Sequence, residues 1–249
     1  MQINLNHNKH SYHFDLDKAI DISIPPQSNV KAFHAPDFEA EPVRSGNFTG
    51  LVSEGSAVNF LNLRINPHGN GTHTECVGHI TSKIISINDC LKKFHFPSLL
   101  ISIDPESWNQ DDLVISTDKL QNFEKEFDLY QPKACIIRTL PNTVSKRNRD
   151  YSDSNPPYFL AESIHWLNNH GVEHLLTDLP SVDREDDEGK LLAHKEFWNF
   201  PENPQLHKTI TEMVYVPNAV SDGFYLLTLQ IISLDTDASP SKPVLFSPV

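Results

Sequence analysis

Twelve consecutive residues, His68-Gly-Asn-Gly-Thr-His73-Thr-Glu75-Cys-Val-Gly-His79, carry three histidines, a glutamate, a cysteine and three glycines. Imidazole and carboxylate suit borderline divalent ions, and an open catalytic site uses about three protein ligands plus water. His73 and Glu75 lie two positions apart, so in an extended segment both side chains point the same way. Gly69, Gly71 and Gly78 allow the backbone to bend tightly around an ion. The same composition also fits a glycine-rich turn with solvated histidines, and none of the short metal motifs of fixed spacing is matched. Cys76 reads either as a thiolate ligand or, preferably, as a small buried hydrophobe.

Regular elements must position this segment. Leu61, Leu63 and Ile65 alternate with Asn62, Arg64 and Asn66, the pattern of a half-buried strand running into Pro67-His68. Leu99, Ile101 and Ile103 alternate again and stop at Asp104-Pro105. Thr117 stands where it could cap a helix with Leu120, Phe123 and Phe127 on one face. Ala134 to Leu140 reads as a buried strand. Residues 141–158 form a long polar loop, of a length that suits a lid or an interface arm. Leu160, Ile164 and Leu167 follow at helical spacing, with Gly171 as the stop. A strand over Val172 to Leu176 then leads to Asp178. Leu227, Leu229 and Ile231 alternate near the end, and Val244 to Phe246 reads as an edge strand. Residues 1–50 are polar and interrupted by Pro25-Pro26 and Pro36, as an N-terminal arm or lid would be. Strands outnumber helices without a βαβα rhythm. The expected fold is therefore α+β, or mixed α/β: one domain over residues 1–249 with a large, partly antiparallel sheet.

The formal charge is −13, from 20 basic and 33 acidic side chains in 249 residues. That balance argues against a nucleic-acid partner and against an anionic membrane, and does not itself name a substrate; a small-molecule substrate is the expectation. The sequence has no apolar run long enough to span a bilayer, and Met1 to His10 lacks the apolar stretch of a secretory signal. Three cysteines, Cys76, Cys90 and Cys135, do not make a disulfide framework, so a cytoplasmic location is expected. No Gly-x-Ser-x-Gly elbow is present, so a serine hydrolase has little support. Asp178, Ser181 and Asp183 read equally well as groups buttressing a site or as turn and cap residues, and Asp183 to Glu188 as a solvated loop.

Gly71-Thr72-His73-x-Glu75-x3-His79 resembles the signature His-x-Gly-Thr-His-x-Asp-x-Pro-x-His of the cyclase family, which includes bacterial kynurenine formamidases and isatin hydrolases. The similarity continues in order through Asp178-Leu-Pro-Ser181-Val-Asp183, Ala193-His194, Thr211-Glu212 and Gly223-Phe-Tyr-Leu-Leu-Thr-Leu, and covers roughly residues 50–249. The resemblance implies a swivelling β/β/α fold. It implies that His73 and Glu75 bind a divalent metal, zinc first and manganese or iron as alternatives. It implies that His194 and Glu212 complete the shell of a second ion or of a bridged pair. By the same resemblance His79 is the general acid/base and the chain assembles as a homodimer or homotetramer, while Phe33 and His34 read equally well as lining a substrate pocket or as an ordinary surface loop. Three positions depart from the signature. Gly69 stands where the family has its first histidine, so either the segment bulges until His68 reaches the ion or that ligand is lost. Glu75 replaces an aspartate and carries its carboxylate about 1.5 Å further. Val77 or Cys76 replaces the proline.

The function expected is metal-dependent hydrolysis of an amide-type C–N bond, in a formamide or a lactam, with His79 moving the proton. A non-catalytic metal- or ligand-binding relative, and a dehydratase or isomerase on the same fold, are the alternatives.

Overall fold

In the computed structural model, every residue except Gln110 is described. An eight-stranded sheet forms the centre. Its strands in chain order are β1 (Ile20–Asp21), β2 (His73–Glu75), β3 (His95–Ile103), β4 (Ala134–Thr139), β5 (His174–Thr177), β6 (Thr209–Glu212), β7 (Gly223–Ile231) and β8 (Ala238–Phe246). Their spatial order is β7-β3-β4-β5-β6-β2-β8-β1, and β7 pairs in addition with β8. That extra pairing closes the sheet into a barrel and leaves little free edge. Strands β3, β4, β5 and β6 run parallel, while β2, β7 and β8 are antiparallel to their neighbours. The class is the mixed α+β arrangement expected.

Alternation along the strands divides the core in two. Leu99, Ile101, Cys135, Ile137, Leu175 and Ile210 point outward beneath the helices. Leu100, Ala134, Ile136, Leu176, Leu227 and Leu245 fill the barrel. All six residues of β4 are buried, which accounts for its unbroken apolar run. The helices are α1 (Ile87–Cys90), α2 (Thr117–Gln121), α3 (Glu124–Tyr130), α4 (Ala161–Asn169) and α5 (Leu192–Trp198). Helix α4 follows the predicted spacing, with Ile164 and Leu167 buried and Gly171 beyond its end at φ +76°.

Three expectations change. The segment predicted as one helix is two, α2 and α3, separated at Asn122-Phe123, and its N-cap is Ser116 rather than Thr117. The Ser116 hydroxyl donates to Glu106 instead of capping. The strand Leu61–Arg64 is not half-buried: it pairs with Glu39–Pro42 in a projecting two-stranded arm, and Leu63 is 65% exposed. Val244 to Phe246 is no edge. It is the end of the nine-residue β8, which pairs with β2 through Ala238 to Pro240 and with β7 through Ser241 to Phe246. Pro240 and Pro243 hide that strand from the sequence, since proline normally marks a strand's edge or end.

Residues 1–50 divide into parts. A hairpin of Gln2–His7 and His10–Asp15 packs Phe14 against Phe224, Leu226 and Phe246. Ile22 enters the barrel, and Ile24, Val30 and Ala32 form a small core with Tyr151 and Met213. Residues beyond Pro36 turn out into the arm.

Candidate metal centre

Strands β2 and β6 supply the floor of the site. Glu212 lies opposite His73 and Ile210 opposite Glu75, so His73, Glu75 and Glu212 share the outward face. His73 Nε2 stands 3.2 Å from Glu212 Oε2. On the other face the hydroxyls of Thr74 and Thr211 meet at 2.8 Å. The His73 ring presents Nδ1 to the Gly71 carbonyl at 3.1 Å; a proton on Nδ1 leaves the Nε2 lone pair toward the carboxylates. Gly71 needs its freedom here: its φ is +75°, and a Cβ would fall 2.7 Å from the Ile24 carbonyl oxygen.

The departure at Gly69 has a steric cause. A Cβ at this position would lie 2.2 Å from the Ala35 Cβ, so no side chain fits without moving that segment. The Asn66 side chain instead accepts from the His68 and Gly69 amides at 3.0 and 3.1 Å, fixing a turn. His68 thereby reaches the cluster, with Nδ1 3.0 Å from Glu75 Oε2.

Beyond β2 the chain enters a single 3-10 turn, Val77–Ile80. This turn stacks the His79 ring on His68 at 4.2 Å and sets its Nε2 3.9 Å from Glu75 Oε2. The His79 side chain is 32% exposed, against 0% for His73 and 1% for Glu75, so His79 is at the mouth and the others are inside. Cys76 is turned away into the barrel core and is not part of the cluster.

Helix α5 brings His194, whose Nε2 lies 3.1 Å from Glu75 Oε1. Asp183 holds this helix. One carboxylate oxygen accepts the Ala193 amide at 2.8 Å, and the other accepts the His194 amide at 3.1 Å and meets its Nδ1 at 2.6 Å. Asp183 is therefore buried rather than part of a solvated loop. The Val182 amide donates to Glu212 Oε1 at 3.0 Å, so one short segment braces both walls. Ser181 contributes only a turn, accepting the Asp183 amide at 3.1 Å. Asp178 sits apart from the cluster: it accepts from the Thr139 amide and hydroxyl and from Lys146 Nζ at 2.7 Å. Phe33 lies 40% exposed beside His34 in an open surface pocket and is not brought to the cluster.

Asp237 completes the group, and nothing local in the sequence marks it. It precedes β8, its carbonyl accepts the Cys76 amide at 3.0 Å, and its Oδ2 lies 2.8 Å from His68 Nε2 and 3.6 Å from His79 Nδ1. Its one signal is its placement immediately before a strand that pairs with β2, a strand whose prolines mask it in the sequence.

Charge is concentrated here. Burial alone would raise the Glu75 carboxyl, but the imidazoles of His79, His194 and His68 around it hold it well below the ordinary range. Burial would lower His194, yet Asp183 and Glu75 push it up to about 10. His68 is likewise opposed by burial and raised to about 10 by Asp237 and Glu75. The hydrogen bond with His68 and the nearby His79 imidazole keep Asp237 low. Ligation needs neutral imidazoles, so an ion entering this cluster would take the place of the protons that these histidines otherwise hold beside the carboxylates. Two buried atoms, His73 Nε2 and Glu75 Oε2, make no well-aligned hydrogen bond although Glu212 Oε2 and His68 Nδ1 lie 3.2 and 3.0 Å away. The ligand atoms of His68, Glu75 and His79 lie within 4.8 Å of one another, as do those of His73, Glu75 and Glu212. Glu75 belongs to both sets. The residues fit one divalent ion, or two sharing the Glu75 carboxylate.

The closed mixed sheet with this carboxylate–imidazole cluster on its outer face defines a candidate divalent-metal protein. The chain belongs to the cyclase family: the family model described as "Putative cyclase" matches residues 20–184. None of the curated proteins matches the chain. Its fold is shared with a structure described as a potential metal-dependent hydrolase with cyclase activity, at 14% identity and a TM-score of 0.65, covering 92% of this chain and 97% of that one. Isatin hydrolase A from Labrenzia aggregata, bound to benzyl benzoate, has a TM-score of 0.69 at 13% identity, covering 93% and 94%. Isatin hydrolase A from Ralstonia solanacearum has a TM-score of 0.67 at 12% identity, covering 92% and 91%. The swivelling β/β/α fold implied by the sequence resemblance is thus the architecture found.

Proposed function

We propose that the protein is a metal-dependent hydrolase that cleaves an amide-type C–N bond, of a formamide or a lactam, in a small molecule. The observation that carries this reading is the pair of buried ligand atoms left without an aligned hydrogen bond, His73 Nε2 and Glu75 Oε2, beneath the half-open His79 ring. A divalent ion held by His73, Glu75 and Glu212, with His68 and His194 closing around Glu75, would polarise the carbonyl and lower the pKa of a water. Zinc suits these donors first, with manganese or iron as substitutes. The family membership and the hydrolase names of the structural neighbours support the same reaction class.

The side chains divide the remaining work. His79 sits at the mouth with Nε2 inward and Nδ1 toward Asp237, so it takes a proton from the attacking water and returns it to the leaving nitrogen. Asp237 holds the ring orientation of both His79 and His68. Asp183 fixes His194 against Glu75. Burial of Glu75 and Glu212 keeps bulk water from competing for their charge. The test is hydrolysis of a panel of aryl formamides and small lactams by protein loaded with zinc or manganese, with products identified. A product isomeric with its substrate, or one lacking only water, would replace hydrolysis by isomerisation or dehydration.

The same proposal extends to assembly. Phe48, Phe60, Leu61 and Leu63 are exposed together on or beside the arm, at 40%, 58%, 42% and 65%. A second copy of the chain would cover them in a homodimer or homotetramer.

A further inference from the structure

The ladder between β2 and β6 stops at the pair His73–Glu212, and one more step in the same register would set Thr72 opposite Met213. The backbone does not take that step. The Thr72 amide donates instead to the Ile24 carbonyl at 2.9 Å, and the Met213 amide to the Leu179 carbonyl at 2.9 Å. Met213 turns into the left-handed region, at φ +56°. A residue with a Cβ is uncommon there, and it stays only where its surroundings hold it. Two contacts hold Met213. Its buried side chain packs with Ile24, Val30, Ala32 and Tyr151, and its carbonyl accepts the Thr72 hydroxyl at 2.5 Å. The same hydroxyl accepts the Ile24 amide at 2.7 Å, so its proton and one lone pair are both committed. Thr72 is buried, which keeps these bonds out of bulk water.

We infer that Thr72 is a positioning residue of the candidate metal centre: its hydroxyl, by holding the left-handed turn at Met213, fixes Glu212 against His73. Thr72 directly precedes His73, and Met213 directly follows Glu212. Without the hydroxyl, the Met213 carbonyl and the Ile24 amide are left buried and unpaired, and Met213 relaxes toward ordinary backbone. The chain beyond it is pinned, with the Val214 amide on the Thr177 carbonyl at 3.1 Å and the Tyr215 amide on the Ile22 carbonyl at 2.8 Å. The displacement therefore falls on Glu212. Its Oε2 stands 3.2 Å from His73 Nε2, and its Oε1 accepts the Val182 amide at 3.0 Å. Ligand distances to an ion tolerate only about 0.2 Å, so a small shift of this carboxylate weakens binding. The Thr74 and Thr211 hydroxyls, which meet at 2.8 Å, join the same two strands on the opposite face and supply an internal comparison. The turn at Met213 is independent of the proposed hydrolase activity; only its effect on the metal rests on that reading.

The test is full-length protein and its Thr72→Val, Thr72→Ser and Thr74→Val variants, each crystallised without added metal and titrated with zinc against a chromogenic chelator. In Thr72→Val we expect Met213 to leave the left-handed region, the 3.2 Å approach of His73 Nε2 to Glu212 Oε2 to open, and zinc affinity to fall about tenfold. Thr72→Ser keeps the hydroxyl and should restore both, while Thr74→Val should leave zinc affinity as in the parent. Glycine takes the left-handed turn unaided, so Thr72→Val combined with Met213→Gly should bind zinc as Met213→Gly alone does. That comparison holds even where Thr72→Val by itself fails to fold, and a tenfold further loss in the double variant would overturn the role of the turn. Met213 unmoved in Thr72→Val, or Thr74→Val weakening zinc as much as Thr72→Val, would overturn the assignment. A moved Met213 with zinc affinity unchanged would overturn its coupling to the centre. Failure of the parent protein to bind zinc would count against the metal reading, and the metal-free structures would still decide what Thr72 holds.

Discussion

At the scale of single residues, the site is a set of imidazoles arranged around one carboxylate. Glu75 is reached by His68, His79 and His194, while His73 pairs with Glu212 across two strands. Removing one member need not be equivalent to removing another. His73→Ala should abolish metal binding and turnover together, measured by elemental analysis and assay, because its Nε2 is buried and committed to the centre. His79→Ala should retain metal and lower kcat by about 10², because its ring is at the mouth. Asp237→Asn should lower turnover by roughly 10-fold to 100-fold with the ion retained, and Asp237→Glu should recover part of it. Most of this cluster is legible in the sequence because His68, His73, Glu75 and His79 fall within one short stretch, and a resemblance in order along the chain adds His194 and Glu212. Asp237 is not legible. It is an ordinary acidic residue 169 positions from His68, and only the closure of the barrel brings them together. Phe33, in an open surface pocket, and Ser181, which accepts the Asp183 amide, stand outside the group around Glu75.

At the scale of elements, strands with both faces buried were the readable ones, as β4 shows, and helix α4 was readable from its spacing and its terminal glycine. The arm strand Leu61–Arg64 alternates as cleanly as any, but alternation reports two chemically different faces and not which of them is covered. Two elements carry testable electrostatics. The loop 141–158 is pinned by Lys146, whose Nζ donates to Asp178 and to the Thr139 carbonyl. Burial raises the Asp178 carboxyl, and Lys146 opposes that. Lys146→Met should cost about 3 kcal/mol in urea unfolding, because it strands a buried carboxylate; adding Asp178→Asn should restore much of the loss. On β5, burial holds His174 down to about 4. An unfolded histidine titrates near 6.5. Above that pH neither state is protonated, and the stability is complete. As pH falls from about 6.5 toward 4 the unfolded chain gains a proton that the native state refuses, so stability declines, and below about 4 it declines no further on this account. His174→Gln should flatten the urea midpoint across that window, and an unchanged slope would remove His174 from the acid response.

At the scale of the whole molecule, closure of the sheet is what makes the centre possible. Strand β8 pairs with β2 at one end and β7 at the other, carrying Asp237 to the edge of the cluster while completing the barrel. No helix among the described residues is long and apolar enough to cross a membrane. The arm exposes Phe60, Leu61 and Leu63 together, and sedimentation should show a dimer or tetramer that Leu63→Lys with Phe60→Ser shifts toward monomer. The central claim is that the cluster around Glu75 binds a divalent ion and uses it for hydrolysis. Elemental analysis of untagged protein purified without chelators, paired with formamide hydrolysis before and after chelation and metal return, tests it most directly. The expected result is one or two equivalents of zinc or manganese, with turnover lost on chelation and restored on reloading. Protein that takes up no divalent metal at any loading would contradict it, and would leave the cluster as a network of buried ion pairs.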